Sequence, residues 1–316
     1  MSRPSVGMMA QAACLLEATA RKPGNVHRGA DFADTTWLDF ALSAAAIAGP
    51  LDRTPGRPLG ATILEAVAAT RAAVRSNTNL GMILLLAPLA AVPPDEPLRA
   101  GLARVLARTT RADAVDLYRA IRLARPGGLG RSAEGQDVID EPTLPLVECM
   151  RLAADRDLVA RQYATDFADL FDRFVPDLAS ALARPGADPE AAIVAAFLAF
   201  LADHPDTLIA RKLGTSLAHE VSRRAALVLS AGWPDSPGAA GMLVDFDAWL
   251  RLDGHARNPG ATADLAAGAL FVLIREGTIP WPVPTRWAHP GFGPLVLAPA
   301  GGRTDRILPG RPDLPS

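Results

Sequence analysis

Apolar residues recur every three to four positions along most of the chain, which is the period of an α-helix with one or more buried faces. Near the start, an apolar stripe runs from Met9 to Ala20, and Pro23 follows it as a helix breaker. The pattern predicts helices over residues 6–20, 37–48, 60–75, 80–91, 96–108, 112–123, 146–174, 191–202, 207–229, 239–252 and 258–275.

Capping residues and helix breakers set several of these boundaries. Asp188-Pro189 is a typical helix start, because a capping side chain is followed by a proline that needs no backbone N–H partner. Gly49-Pro50 is expected to end the second helix. The segment over residues 146–174 is expected to be one kinked helix rather than a domain boundary.

Sequence typical of strands is scarce. Aromatic residues make up 5% of the chain and β-branched runs are short. The apolar runs over residues 82–92 and 191–202 predict buried central helices, and both are shorter than the about 20 residues that cross a bilayer. We therefore expect an all-α protein without a membrane span, with one compact catalytic domain over residues 1–277 and an irregular, proline-rich tail over residues 278–316.

The net charge and the cysteine content indicate which partners and which cellular compartment to expect. The chain has 316 residues and a formal net charge of -2, which does not favour nucleic acid as a partner. Cys14 and Cys149 lie in apolar helical patterns without metal-ligand spacing. They are expected to be buried free thiols, which is typical of a cytoplasmic protein.

Four polar segments interrupt the apolar helices, and each lies at a predicted helix end. The first covers residues 17–28, the second 77–81, the third 206–212 and the fourth 258–264. The first turn of a helix offers unpaired N–H groups and a positive dipole end, which suit phosphate. Asn79 and Asn258 directly precede such helix starts. The alternative for any single segment is plain helix capping, which is the ordinary use of Asn, Asp and Thr.

Three acidic residues of these segments are candidates for chemistry. Glu17 lies in the last turn of its helix, where the dipole disfavours a carboxylate, and the alternative is an i,i+4 pair with Arg21. Asp264 lies among Ala and Gly, where a surface helix would carry more charge. With Asp206, these groups could bind Mg²⁺ or provide a general base. The cations available for phosphates are Lys22, Arg28, Arg211 and Lys212.

Other catalytic and nucleotide-binding motifs are incomplete. Residues 128–133 match G-x-G-x-x-A, but a helix and Pro126 precede them instead of a strand. His219-Glu220 lacks the second histidine of a zinc protease, and no Walker A sequence occurs. His27 remains of interest because it belongs to the first polar segment.

In chain order, the polar segments contain Glu17 with Lys22-Pro-Gly-Asn-Val-His-Arg28, then Asn77-Thr78-Asn79-Leu80-Gly81, then Asp206-Thr207 with Arg211 and Gly214, then Asn258-Pro-Gly-Ala-Thr-Ala-Asp264. This series resembles the triphosphoribosyl-dephospho-CoA synthase family over roughly residues 9–275. The resemblance implies an all-helical, Mg²⁺-dependent transferase. In that reaction ATP loses adenine, and its triphosphoribosyl group moves to a ribose hydroxyl of dephospho-CoA.

The resemblance also implies roles for individual residues. Substitution at an anomeric carbon passes through an oxocarbenium-like transition state, so it needs carboxylates near the sugar and a base for the incoming hydroxyl. Glu17, Asp206 and Asp264 would be the catalytic carboxylates and the ligands of Mg²⁺. The implied substrate-binding residues are Lys22, Pro23, Gly24, Asn25, His27, Arg28, Asn77, Thr78, Asn79, Gly81, Thr207, Arg211, Asn258, Gly260 and Thr262.

The second segment departs from the family pattern, in which it reads Asn-Thr-His-Lys-Gly, because Asn79 and Leu80 are neutral. This difference favours a changed donor or acceptor. One alternative is transfer of a ribosyl phosphate from phosphoribosyl pyrophosphate to another coenzyme precursor, such as a methanopterin-type pterin. In either reaction, we expect a nucleotide or activated-ribose donor and a coenzyme-like acceptor as partners, with a homodimer left open.

A second alternative comes from a different functional class. A non-catalytic helical protein that binds a nucleotide or a partner would use the polar segments only as helix caps. Its three carboxylates would then lie more than about 15 Å apart, whereas an enzyme requires them to converge on one site.

Overall fold

The computed structural model describes residues 3–126 and 138–284. Its α-helices are α1 (Val6–Thr19), α2 (Trp37–Asp52), α3 (Leu59–Ala73), α4 (Leu80–Ala90), α5 (Leu98–Ala107), α6 (Arg111–Ala124), α7 (Leu146–Arg151), α8 (Leu158–Ala164), α9 (Val175–Leu182), α10 (Pro189–Asp203), α11 (Thr207–Leu213), α12 (Thr215–Ser230), α13 (Pro237–Leu250) and α14 (Gly260–Arg275). A π-helical turn, Leu170–Phe174, directly precedes α9. No strand occurs in these described ranges, so the all-α prediction is confirmed.

Local capping signals explain where several helices begin. Asp188 caps α10 by accepting a hydrogen bond from the N–H of Ala191 at 2.9 Å, and Pro189 is its first residue, as predicted. Thr36 caps α2 and forms a reciprocal pair with Asp39, whose side chain accepts from the N–H of Thr36 at 2.7 Å. Such a capping box satisfies two backbone donors that a helix start leaves unpaired.

The predicted end of α2 at Gly49-Pro50 is wrong, because the helix continues to Asp52. Pro50 lies in the last turn and is buried. The fixed φ angle of proline is compatible with a helix, and near the helix end its missing N–H removes only one hydrogen bond.

The single kinked helix predicted over residues 146–174 is also wrong, since α7, α8 and the π-helical turn divide it. Asp157 caps the start of α8, because its Oδ1 accepts from the N–H groups of Val159 and Ala160 at 2.9 and 3.0 Å. The apolar period continues across this break, so periodicity alone did not reveal it.

A comparable break divides the long helix predicted over residues 207–229. Gly214 separates α11 from α12 and adopts a φ of 92°, a left-handed conformation that side chains disfavour. The third polar segment is therefore a short helix of its own, free to take a direction different from that of α12.

The core is built around helices that are buried on all sides. In α4, 10 of 11 residues are buried, and in α14, 14 of 16 are buried. Helix α14 contacts α1, α4, α8, α9, α10 and α11. The prediction of central helices near residues 82–92 and 191–202 is confirmed by α4 and α10, while the more deeply buried α14 was not foreseen as the centre.

Two further expectations can be compared with the fold. Cys14 and Cys149 are free and buried, as predicted. In the part of the chain that the structure describes, no single helix is long and apolar enough to cross a membrane. Helices α10 and α11 meet that test only as a pair bent by 55°.

The tail begins against the helical core. Ile279 is buried, and its N–H donates to the carbonyl oxygen of Leu273 at 3.0 Å. Residues 285–316, and the G-x-G-x-x-A match over residues 128–133, lie outside the described residues.

Candidate active site

The start of α14 is the place where the polar segments meet. Asp206 Oδ2 accepts from the N–H and the hydroxyl of Thr262, both at 2.8 Å. Its Oδ1 accepts from the N–H groups of Leu208 and Ile209 at 2.9 and 3.2 Å. A Cβ atom on Gly260 would lie 2.8 Å from Cδ2 of Leu208, so the two helix starts pack closely. The third and fourth segments thus form one hydrogen-bonded unit.

The second segment contacts the fourth through Gly81 and Asp264. A Cβ atom on Gly81 would lie 1.9 Å from Oδ2 of Asp264, so only glycine permits this approach. The backbone N–H of Met82 donates to the Asp264 carboxyl group. Asp264 therefore lies against the N-terminus of α4, where the helix dipole favours negative charge. Gly81, predicted to bind substrate, makes room for this carboxyl group.

The first segment is held by a buried ion pair at the end of α1. The ammonium of Lys22 lies 2.8 Å from Oε1 of Glu17 and also donates to the backbone oxygens of Glu17 and Ala20. Both side chains are buried. Lys22 thus satisfies carbonyl groups that the helix end leaves unpaired. Glu17 makes this pair instead of the surface pair with Arg21 that the sequence left open.

The first segment also lies beside the fourth. A Cβ atom on Gly24 would lie 3.1 Å from Cδ of Pro259. Burial raises the pKa of the Cys14 thiol, and the charges of Glu17 and Asp264 raise it further. Cys14 precedes Glu17 by one turn of α1, so α1 brings both side chains next to Asp264. The four segments converge, as the enzyme hypothesis requires.

Glu17 and Asp264 are neighbouring carboxyl groups in different environments. Burial raises the pKa of Asp264 well above its usual value, and the charges of Glu17 and Asp206 raise it further. Burial also raises the pKa of Glu17, but the charge and hydrogen bond of Lys22 oppose this shift. The two carboxyl groups therefore differ in their surroundings, because Lys22 favours the charged form of Glu17 whereas Asp264 faces the charges of other carboxyl groups. Different surroundings of this kind are typical of an acid and base pair.

Buried polar atoms without a hydrogen-bond partner within the described ranges occur in the first, second and fourth segments. They include Oε2 of Glu17, Nδ2 of Asn79 and Oδ1 of Asn258. Buried polar groups are almost always hydrogen-bonded, so such atoms need an explanation. Asp264 is partly exposed, whereas nearly all other residues of α14 are buried. A substrate that enters beside Asp264 could provide the missing partners.

Positive charge surrounds His27 of the first segment. The neighbouring cations are Arg21, Lys22, Arg28 and Arg251. Burial and these charges lower the pKa of His27 to about 3, so the ring is neutral. Its Nδ1 accepts from the N–H of Gly29 at 3.1 Å, which leaves the proton on Nε2. One of these cations, Lys22, pairs with Glu17. A group of cations beside a catalytic candidate suits a substrate that carries phosphates.

Glu190 holds two of these cations and was missed in the sequence. It is fully buried and accepts from Nε of Arg21 at 2.9 Å and from Nη2 of Arg28 at 2.7 Å. Arg28, predicted to bind phosphate, is therefore ion-paired with the first turn of α10. An acidic residue is ordinary in a first turn, so the only available signal was its place in an otherwise apolar helix.

Arg251 was also missed, although its i,i+4 spacing from Asp247 was a local signal. Its Nε lies 2.9 Å from both carboxylate oxygens of Asp247, and it donates to the carbonyl oxygen of Asn25. The N–H of Gly24 donates to Asp247 at 2.7 Å, and Nδ2 of Asn25 donates to the oxygen of Pro23 at 3.2 Å. These bonds attach the loop of the first segment to α13.

Several predicted substrate-binding residues have partners within the protein. The hydroxyl of Thr207 accepts from the N–H of Leu158 at 3.0 Å, and Arg211 is ion-paired with Asp157. Both contacts connect α11 with α8. Thr262 likewise donates hydrogen bonds to Asp206. The structure places these residues, and Asp206 itself, as supports for the helix starts.

In the second segment, Asn77 rather than Asn79 caps α4. Oδ1 of Asn77 accepts from the N–H of Leu80 at 3.3 Å, whereas the side chain of Asn79 makes no capping bond. Thr78 shares a hydrogen bond with the hydroxyl of Ser43. Asn79 is therefore the residue of this segment whose side chain is left to bind something else.

The three carboxylates predicted as one Mg²⁺ site are not brought together as a metal cluster. No group of three or more His, Cys, Asp or Glu side chains in the described part of the chain is placed to hold a metal ion. Both oxygens of Asp206 are hydrogen-bonded, and Lys22 occupies Oε1 of Glu17. Oε2 of Glu17 and the carboxyl group of Asp264 remain as oxygen donors.

Comparisons with known proteins show the family of the chain. The model of the CitG family, described as ATP:dephospho-CoA triphosphoribosyl transferase, matches residues 3–281 and so includes all four segments. A crystal structure from Archaeoglobus fulgidus, provisionally described as a triphosphoribosyl-dephospho-CoA synthase, is 25% identical to this chain. The two align with a TM-score of 0.59 over 74% of this chain and 98% of the other. No curated protein matches the sequence.

Proposed function

We propose, from the premise that this chain belongs to the ATP:dephospho-CoA triphosphoribosyl transferase family, that it moves the triphosphoribosyl group of ATP to a hydroxyl of dephospho-CoA and releases adenine. That the chain is a transferase follows from its family. The donor, the acceptor and the residue roles are the proposal. The observation that carries it is the convergence of four polar segments at the start of α14, where Glu17 pairs with Lys22 and its charge acts on Asp264.

The reaction exchanges one bond at an anomeric carbon. The bond between ribose C1′ and adenine N9 breaks, and a bond between C1′ and the acceptor oxygen forms. The acceptor hydroxyl loses its proton, and adenine leaves with one. Positive charge develops on the sugar in the transition state, so a nearby carboxylate stabilises it.

The two carboxyl groups suit different steps. Lys22 favours the charged form of Glu17, whose Oε2 has no partner and can accept the hydroxyl proton. Asp264 has a raised pKa and is partly exposed, which suits a general acid that protonates the leaving adenine. Asp206 supports this arrangement by fixing the first turn of α14.

The donor's phosphates need positive and polar partners. The cations around His27, each of which also has a carboxylate partner, and the amide of Asn79, which has none in the described ranges, provide groups of that kind in the first and second segments. Charge-assisted contacts of phosphate with guanidinium groups are short and strong. We assign the phosphate chain to this side of the site and the sugar to the carboxyl groups.

We propose that Mg²⁺ enters with the triphosphate of the donor. Mg²⁺ commonly keeps several waters and uses one or two carboxylates in addition to substrate phosphates. Because Glu17 and Asp264 are assigned to proton transfer, the ion would be held mainly by the phosphates and by water, and a cage of three protein carboxylates is not required. The ion would neutralise part of the phosphate charge.

Incubation of the purified protein with ATP, Mg²⁺ and dephospho-CoA tests the proposal. We expect adenine and a coenzyme product enlarged by one triphosphoribosyl group in equal amounts, and neither when the acceptor is omitted. Chromatography measures adenine and mass spectrometry measures the product. If no adenine forms, the proposed donor and acceptor are wrong. Pyrophosphate release from phosphoribosyl pyrophosphate with a pterin acceptor would then favour the alternative reaction.

A further inference from the structure

The chain uses lysine at only two positions. It has 32 lysine and arginine residues, and Lys22 and Lys212 are the only lysines among them. Arginine is therefore its ordinary cation, including on exposed helix faces. A compact ammonium differs from a planar guanidinium in size, hydration and hydrogen-bond geometry. Lysine at two places in the polar segments indicates that the ammonium itself matters there.

The two lysines are used in opposite ways. Lys22 is fully buried and its ammonium is taken up by Glu17 and two backbone oxygens. Lys212 lies in the last turn of α11 and is half-buried. In the ranges 3–126 and 138–284, its ammonium makes neither a hydrogen bond nor an ion pair.

The charged groups that face Lys212 are engaged elsewhere. They are Asp206 and Arg211 from its own helix and Asp34 from the loop before α2. All four bonds of Asp206 go to backbone and threonine groups, and Arg211 has its own ion pair. Asp34 lies 3.4 Å from Nδ1 of His255. Lys212 thus lies at the end of the short helix whose start Asp206 joins to α14, and its ammonium is available to a ligand.

A bound anion would stabilise this ammonium. Burial lowers the pKa of Lys212 because it disfavours the charged form, and Arg211 lowers it further, while Asp206 and Asp34 oppose the shift. A phosphate group placed against the ammonium would supply the missing counter-charge and a hydrogen-bond acceptor. Other cations of the site, such as Arg28 and Arg251, already have carboxylate partners.

We propose that Lys212 binds a phosphate group of the substrate and is the lysine of this chain that contacts it, while Lys22 supports Glu17. The proposal deepens the proposed function and rests on it for the nucleotide, but the chemistry it requires is only that of a polyphosphate anion. Inorganic tripolyphosphate is therefore a suitable probe.

Calorimetric titration with tripolyphosphate compares the wild type with Lys212→Met and with the control Arg223→Met, which removes one charge from an exposed position on α12. We expect binding about 10- to 100-fold weaker in Lys212→Met, the range of one charge-assisted contact, and wild-type binding in the control. Equal affinities of Lys212→Met and wild type, or no binding by the wild type, would overturn the proposal.

Amine acetylation followed by peptide mass spectrometry tests the same contact without a mutation. Lys212 should react and Lys22 should not, and saturating tripolyphosphate should slow acetylation of Lys212. Unchanged acetylation of Lys212 at saturation would contradict the proposal even if Lys212→Met fails to fold. The adenine assay separates the two proposals: protection without adenine release rejects the proposed reaction and keeps the role of Lys212.

Discussion

The starts of α11 and α14 each carry one aspartate whose pKa is raised by burial, and the two aspartates have different roles. Asp206 uses both oxygens in four hydrogen bonds within the protein. Asp264 faces Glu17 and is partly exposed, with the N–H of Met82 as a donor. Burial of a carboxyl group therefore does not by itself indicate chemistry. What distinguishes Asp264 is access to solvent and a second carboxyl group beside it.

The largest expected effect comes from Asp264→Asn. The amide keeps the size of the carboxyl group but cannot donate or accept the proton in the same way, so turnover should fall about 10²- to 10⁴-fold. Adenine release under saturating substrates measures this loss. The thermal unfolding midpoint should stay at or above the wild-type value, because a costly buried carboxyl group is removed. A variant that turns over at the wild-type rate would show that Asp264 is not the acid.

Gly81→Ala should displace the Asp264 side chain without replacing it, and it therefore tests the position of this carboxyl group. The added Cβ would lie 1.9 Å from the carboxyl oxygen, so the side chain must shift. A displacement of this size can cost about 100-fold in rate. Gly241→Ala is the matched control, because a Cβ atom there meets no other atom within 4 Å. Equal rates for the two variants would contradict the close contact of Gly81 with Asp264.

Asp206→Asn should lower the stability of the protein rather than its reaction rate. The new amide N–H₂ would face a backbone N–H group, either that of Thr262 or those of Leu208 and Ile209, so a buried donor loses its acceptor and the free energy of unfolding should fall by about 2–3 kcal/mol. Urea unfolding measures this change. Asp235→Asn, which alters an exposed ion pair, should change it by less than about 1 kcal/mol. Similar stabilities of the two variants would argue against a supporting role for Asp206.

The smallest expected effect is on the pH dependence of stability. Asp264 has a folded-state pKa above its ordinary value of 3.8, so the folded protein retains a proton that the unfolded chain has lost. The free energy of unfolding should fall as pH rises from 3.8 through the folded pKa, by at most about 1.4 kcal/mol per pH unit for one group. Asp264→Asn should make this slope less steep by the contribution of one group, while Glu17 and Asp206, whose pKa values are also raised, keep theirs. Parallel pH curves for variant and wild type would contradict the raised pKa.

Much of the helical framework follows from the sequence because its signals are local. The apolar period and the caps at Thr36 and Asp188 lie within a few residues of the helices that they specify. The breaks at Asp157 and Gly214 were missed because the apolar period runs through both. The capping side chain of Asp157 and the positive φ of Gly214 set these two breaks, and neither feature changes the spacing of the buried positions.

The site was predictable as a set of segments but not as a set of contacts. Segment order and the family resemblance directed attention to Glu17 and Asp264, and the charge of Glu17 does raise the pKa of Asp264. The partner of Arg28 is Glu190, 162 residues away, and spacing within one helix says nothing about such a pair. Lys22 was expected to bind phosphate, and only the folded loop shows that it pairs with Glu17.

The central claim is that Asp264 reacts whereas Asp206 supports the helix starts. The most direct test is the rate of adenine release by Asp264→Asn and Asp206→Asn, each divided by its folded fraction, with ATP, Mg²⁺ and dephospho-CoA. The account predicts a rate near the wild-type value for Asp206→Asn and a rate at least about 100-fold lower for Asp264→Asn. Equal rates for the two variants, or a larger loss in Asp206→Asn, would contradict it.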